Sequence, residues 1–185
     1  MDPYRRIYFN HIHGPHYHLY HPTLHIRYQT HDPRSIIINI SSGTFYSQQF
    51  QHTQAAFSVF FGPSSPRSIA SYAPLTYTQS REIAELFAVA ATLRHILEIV
   101  VRREFALPIS KVVMRTSRAE QGYVLSGILL VARTSWWTTT RGTRFLFRDV
   151  RESLDLLESL GVEILFAYEN LQNNWEAFLL LPPVY

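Results

Sequence analysis

Nine histidines occur in the chain, and seven of them, His11, His13, His16, His18, His21, His25 and His31, fall within the first 34 residues. The spacings His11-x-His13 and His16-x-His18 put pairs of imidazoles on one face of an extended chain, which suits weak zinc or nickel binding. No carboxylate or cysteine at a fixed spacing completes that set, so a polar arm is the favoured reading. A second group, Trp137, Arg141, Arg144 and Arg148, joins an indole to guanidinium groups, a combination fit for base stacking and phosphate contact. Leu146 and Phe147 lie inside the same stretch and offer apolar surface instead, for a protein partner or for the core. The pair Ser42-Gly43 brings a serine hydrolase to mind. The chain has no Gly-x-Ser-x-Gly elbow and no identifiable partner histidine, so that chemistry is set aside.

The chain contains no cysteine. Disulfides, cysteine nucleophiles and cysteine-based metal sites are thereby excluded, and a cytoplasmic or nuclear setting is expected. With 46% hydrophobic and 17% charged residues, there is enough apolar material for a packed core. The formal charge is only +3, yet nearly all the basic residues are arginines, Lys111 being the one lysine. Arginine favours planar contacts to phosphate or carboxylate, although +3 is a weak field for nucleic acid. The N-terminus lacks the apolar stretch of a secretory signal, and runs such as Leu129-Leu130-Val131-Ala132 are too short to span a bilayer. A protein without membrane association is expected.

The elements that must position these residues follow from pattern. Pro15, Pro22 and Pro33 oppose a long helix in residues 1–34, which are read as a His/Tyr/Pro-rich arm preceding one domain over 35–185. Leu24, Ile26 and Tyr28 alternate with polar residues and suggest a strand within it. Ser35 to Ile40 is a β-branched run expected to form a buried strand. Ala55 to Gly62 is a second strand, closed by the turn Gly62-Pro63-Ser64-Ser65-Pro66, and Ser68 to Ala73 a third, giving an antiparallel meander. Ser80 is a suitable cap for a long helix, with apolar residues at Ile83, Leu86, Phe87, Ala90, Leu93, Leu97 and Val100. Lys111 to Thr116 is a fourth strand, and residues 118–130 a short helix. Asp149 to Leu160 is an amphipathic helix stopped by Gly161, Val162 to Tyr168 a fifth strand, and Asn174 to Leu181 a last helix. The order implies an α/β (α+β) fold with a five-stranded mixed sheet and helices on both faces.

That order, with four motifs, resembles the ribonuclease H family, in particular its type 1 fungal members. Ile40-Ser41-Ser42-Gly43 stands where the family has a strand followed by Asp-Gly. Ala55 to Gly62 is similar to the second strand, which in fungal members ends in Val-Phe-Phe-Gly-Pro. Gln79 to Leu86 looks like the start of the central helix, where Ala-Glu-Leu carries a catalytic Glu. Trp137-Thr138-Thr139 through Arg148-Asp149-Val150 looks like the substrate-binding handle and the entry to the next helix. The likeness spans residues 36 to 181.

The resemblance implies hydrolysis of the RNA strand of an RNA–DNA hybrid by two magnesium ions held between four carboxylates. It also implies that most of those carboxylates are lost. The family's first Asp falls on Ser42 and its Glu on Glu85. The third carboxylate falls on Ser117, or on Glu120 in an alignment that gaps the loop and anchors on Tyr123-Val124 and Gly127-Ile128. The fourth falls on Phe178. The family's Lys-Asn before Arg148 is replaced by Leu146-Phe147. A lone Glu85 does not hold a magnesium pair, because several charges must offset the loss of hydration. The expected function is a catalytically inactive module with no cofactor that binds a protein or nucleic-acid partner through Trp137, Arg141, Arg144 and Arg148. One alternative is an active magnesium-dependent ribonuclease H using Glu85 and Glu120. Another is a structural subunit of a larger assembly, and self-association is open.

Overall fold

The computed structural model describes residues 18–21, 25–48, 51–105, 108–116, 143–168 and 174–182. The strands are β1 (His18–His21), β2 (Ile26–Gln29), β3 (Asp32–Ser47), β4 (His52–Phe60), β5 (Ile69–Tyr72), β6 (Lys111–Thr116) and β7 (Glu163–Tyr168). The helices are α1 (Arg81–Arg102), α2 (Arg144–Ser159) and α3 (Trp175–Leu179).

Strand β3 organises the sheet. Ile36-Ile37-Ile38-Asn39-Ile40 is buried on both faces, as expected of a central strand whose run is almost wholly apolar. On one edge β3 pairs in parallel with β6, Ser35 opposite Lys111 through Ile40 opposite Thr116. On the other edge its first half meets β2 and its second half β4, both antiparallel. β5 follows β4 antiparallel, and β7 follows β6 in parallel. The five-strand order is therefore β5-β4-β3-β6-β7, with β4 alone reversed. The long helix and the strands β4 to β7 stand close to where pattern placed them, whereas β3 starts three residues before Ser35 and runs on past Ile40, through Ser41-Ser42-Gly43, to Ser47, because β4 continues to pair with it there.

The N-terminal hairpin is additional. β1 pairs with β2 and β2 with β3, so among the described residues the sheet has seven strands and takes in residues from the stretch read as an arm. Tyr20 fastens this hairpin to the β4–β5 turn. Its hydroxyl donates to Pro63 O at 2.7 Å and lies 2.8 Å from His25 Nδ1. With the single phenolic proton given to the carbonyl, Nδ1 of His25 must be the donor to Tyr20. Gly62 allows the approach, since a Cβ there would stand 2.9 Å from the carbonyl oxygen of His25.

Helix α1 starts at Ser80, whose hydroxyl accepts from the amide of Ile83, and ends at Arg103 in the left-handed region. It packs with α2 on the face carrying Ile36, Ile38, Ile40, Val112 and Met114. The opposite face carries Ile37, Val113 and Ala167, with Asn39 beside Arg115 in register. Helix α3 covers part of that second face. Ser58 donates to the carbonyl of Ala177, Arg27 pairs with Glu176 at 2.5 Å, and Asn174 Nδ2 donates to Ile40 O at 3.0 Å. Helices thus lie on both faces of the sheet. The expected helix over 118–130 lies outside the described residues.

Candidate functional site

The site grows where β6 ends beside the middle of β3, with which it runs in parallel. Thr116 is the last residue of β6 and stands opposite Ile40. Ser42 lies two residues beyond Ile40 on the same face, because successive side chains alternate across a strand. Its side chain is 4% exposed, and its hydroxyl has no hydrogen-bond partner among the described residues. Across from them runs the first half of α1. Glu85, Val89, Thr92 and Ile96 form a buried stripe at helical spacing, which aims Glu85 into the protein, at 2% exposure. Thr116 Oγ1 donates to Glu85 Oε1 at 3.2 Å. The structure brings Glu85 and the Thr116 hydroxyl together, and the strand register sets Ser42 two residues further along the same face.

The start of α3 reaches the same region from the other face. Asn174, fully buried, holds the carbonyl of Ile40, two residues before Ser42. Phe178 lies one turn further along α3 and is 49% exposed. Glu176 is turned to Arg27 and away from the strand ends. Ser117, Glu120, Trp137 and Arg141 lie outside the described residues.

Among the described residues the donors at this place are one carboxylate and two hydroxyls, fewer anionic oxygens than a magnesium pair takes, and Glu120, the other candidate carboxylate, lies outside them. No group of three or more His, Cys, Asp or Glu side chains suited to a metal occurs among the described residues. His95, the one histidine of α1, lies nearly three turns beyond Glu85, too far along the helix to serve Ser42 as a base.

The basic stretch differs from its sequence reading in one respect. Arg144 and Arg148 belong to α2, which begins at Arg144, five residues before the expected start. Leu146 and Phe147 are buried in the core and provide no docking surface, which corrects the reading of that pair as a protein-binding patch. What this end of α2 exposes is Arg144, Phe145 and Arg148, with the Arg148 guanidinium 5.2 Å from the centroid of the Phe145 ring. Arg148 also approaches Glu152 at 3.7 Å.

No family model and no curated protein matches the sequence. Among solved structures, the chain is similar to a ribonuclease H1 isolated from compost by a metagenomic approach, at 14% identity over 80% of this chain and 92% of that one, TM-score 0.48. It is also similar to the ribonuclease H1 of the halophilic archaeon Halobacterium salinarum, at 12% identity over 79% and 93%, TM-score 0.41. A third is LC9-RNase H1, described as a type 1 enzyme with the type 2 active-site motif, at 10% identity over 79% and 69%, TM-score 0.49. The fold is ribonuclease H-like. Strand order and direction carry that statement: an antiparallel meander, a long helix, then two strands parallel to the first. Within this ribonuclease H-like domain, sequence reasoning found Glu85 and Ser42 but not the role of Thr116. The alternation Val112, Met114, Thr116 on one face of β6 was the signal available for it.

Proposed function

We propose that this ribonuclease H-like domain binds nucleic acid and does not cut it. The observation that supports this most is the setting of Glu85: a buried carboxylate accepting from Thr116, with a serine where the resemblance places the first metal-binding Asp. At that place the chain offers hydroxyls where the reaction needs anionic oxygens, so neither the attacking water nor the leaving oxygen is served. The exposed Arg144, Phe145 and Arg148 suit phosphate contact and stacking, and the burial of Leu146 and Phe147 removes the apolar surface that favoured a protein partner. Proteins of similar fold bear the name ribonuclease H1, which makes an RNA–DNA hybrid the first ligand to try. Among the described residues no helix is long and apolar enough to cross a membrane, and the cysteine-free composition fits the cytoplasm or nucleus.

The test is a labelled RNA–DNA hybrid titrated with purified protein, with and without magnesium. Binding without cleavage is expected, weakening as salt rises and weakening on Arg148→Ala. Magnesium-dependent cleavage abolished by Glu85→Gln would overturn the proposal and bring Glu120 into the site. Absence of both binding and cleavage would overturn it in favour of a structural subunit.

A further inference from the structure

A groove opens at the far end of α1, where α1 and α2 both terminate. Its volume is about 440 Å³, and Ile99, Val100, Phe105, Pro108, Ile109 and Leu160 line it. That size is typical of pockets that hold ligands, roughly 300–1,000 Å³. The helical rise puts Ile99 roughly 20 Å from Glu85 along α1, so the groove is separate from the strand-end site. Its charged lining residue is Arg103, which is exposed. No carboxylate among the described residues pairs with Arg103, whereas neighbouring Glu104 is taken by Arg67 and lies 3.9 Å from Arg102. Arg103 also holds φ 51 and ψ 45, a left-handed helix end that ordinarily selects glycine. The chain therefore carries a long cation at a position where backbone conformation alone would favour no side chain.

We propose that this groove docks a short apolar segment of a partner protein bearing a carboxylate that meets Arg103. The lining supplies the desolvated anchor surface, and the unpaired guanidinium supplies the charge selection. A segment of chain fits better than a small amphiphile. Leu156, one turn before Leu160 on α2, is 48% exposed and continues the apolar strip outside the groove. An occupant filling the groove alone would leave it in water, and a peptide covers both.

The experiment uses the full chain and a fluorescein-labelled acetyl-Asp-Phe-Leu-Asp-Leu peptide, followed by anisotropy. Saturable binding is expected, with at least a tenfold loss when the peptide's Asp residues become Asn. Arg103→Gly is the main variant, because glycine relieves the left-handed strain: the thermal midpoint should rise while affinity falls at least tenfold. Leu160→Gln and Leu156→Gln should each weaken binding too. No saturation, or equal affinity for the neutral peptide or the Arg103→Gly chain, would overturn the proposal. Decanoate binding more tightly than the peptide and indifferent to Leu156→Gln would overturn it in favour of a small amphiphile. Self-association abolished by Leu160→Gln in sedimentation would overturn it in favour of a second copy of this chain.

Discussion

Replacing Ser42 by Asp restores the residue that the family resemblance places there, and its outcome separates a vacant metal site from a dismantled one. The side chain at this position is almost fully buried, and no donor reaches its hydroxyl among the described residues. On the same face stand a carboxylate, Glu85, and a hydroxyl, Thr116, whose proton is already given to that carboxylate. Among the described residues a new carboxylate would meet another carboxylate and no cation, and an uncompensated buried charge costs about 3–5 kcal/mol. For a domain of this size each kcal/mol moves the midpoint by about 2–4 °C, so Ser42→Asp should lower Tm by roughly 6–20 °C at neutral pH. Burial and Glu85 both raise the new group's pKa in the folded state above its unfolded value of about 3.9. The folded state then holds the proton more tightly, so the loss is absent below about pH 4 and complete above the raised pKa. Thermal unfolding followed by circular dichroism from acid to neutral pH, with and without millimolar magnesium, reads all of this. Parent-like stability at neutral pH would refute the enclosure argued for Ser42. Recovery of Tm by magnesium would refute the claim that the surviving donors do not suit the metal, and with it the non-cutting reading.

Two further outcomes are expected. The Arg27–Glu176 pair, at 2.5 Å with side-chain exposures of 12% and 19%, lies between surface and buried bridges, so Glu176→Gln should cost about 2 kcal/mol; in a double-mutant cycle with Arg27→Met under denaturant, coupling below about 0.5 kcal/mol would mean α3 is held otherwise. Burial holds the His95 imidazole below its ordinary pKa, with Arg67 and Arg94 adding to the effect and Glu98 opposing it. A depressed pKa contributes stability that is fully present above the unfolded value of about 6.5 and is lost as pH falls through the folded one. His95→Gln should flatten the fall in Tm on acidification, and an unchanged slope would place the pH dependence elsewhere.

Local pattern accounted for most of the frame and little of the site. Lys111–Thr116 is legible from its apolar, β-branched core and the start of α1 from Ser80, because those signals act within a few residues. The N-terminal hairpin was legible only in part: the strand read from Ile26 and Tyr28 stands as β2, but its partner β1 and their place in the sheet escaped. Its proline- and histidine-rich sequence has weak periodicity, and what holds it is distant: Arg27 reaches Glu176, and Tyr20 reaches Pro63. The start of α2 was placed late because Arg144, Phe145 and Arg148 break the polar face expected of a first turn. Leu146 and Phe147 nevertheless fall on the stripe that continues through Val150, Leu154 and Leu157 into the core.

The site itself depends on pairing that no local window contains. Ser42, Glu85 and Thr116 come together only because β3 and β6 run parallel in a register that sets Ile40 against Thr116, while α1 crosses above them. A resemblance that assigns residues one at a time can say which carboxylates are gone, but not what replaces their work. At this site Thr116 donates to one oxygen of the buried Glu85. A hydroxyl neutralises nothing, so the arrangement can satisfy Glu85 without making it useful to a metal. Helix α3 is held independently of Phe178, the position at which the resemblance places the family's fourth acid. Asn174, Ala177 and Glu176 hold the helix through bonds to β3, β4 and β2, and none of these bonds uses the residue at 178. The side chains that support α3 are therefore different from the one at which the resemblance expects an acid.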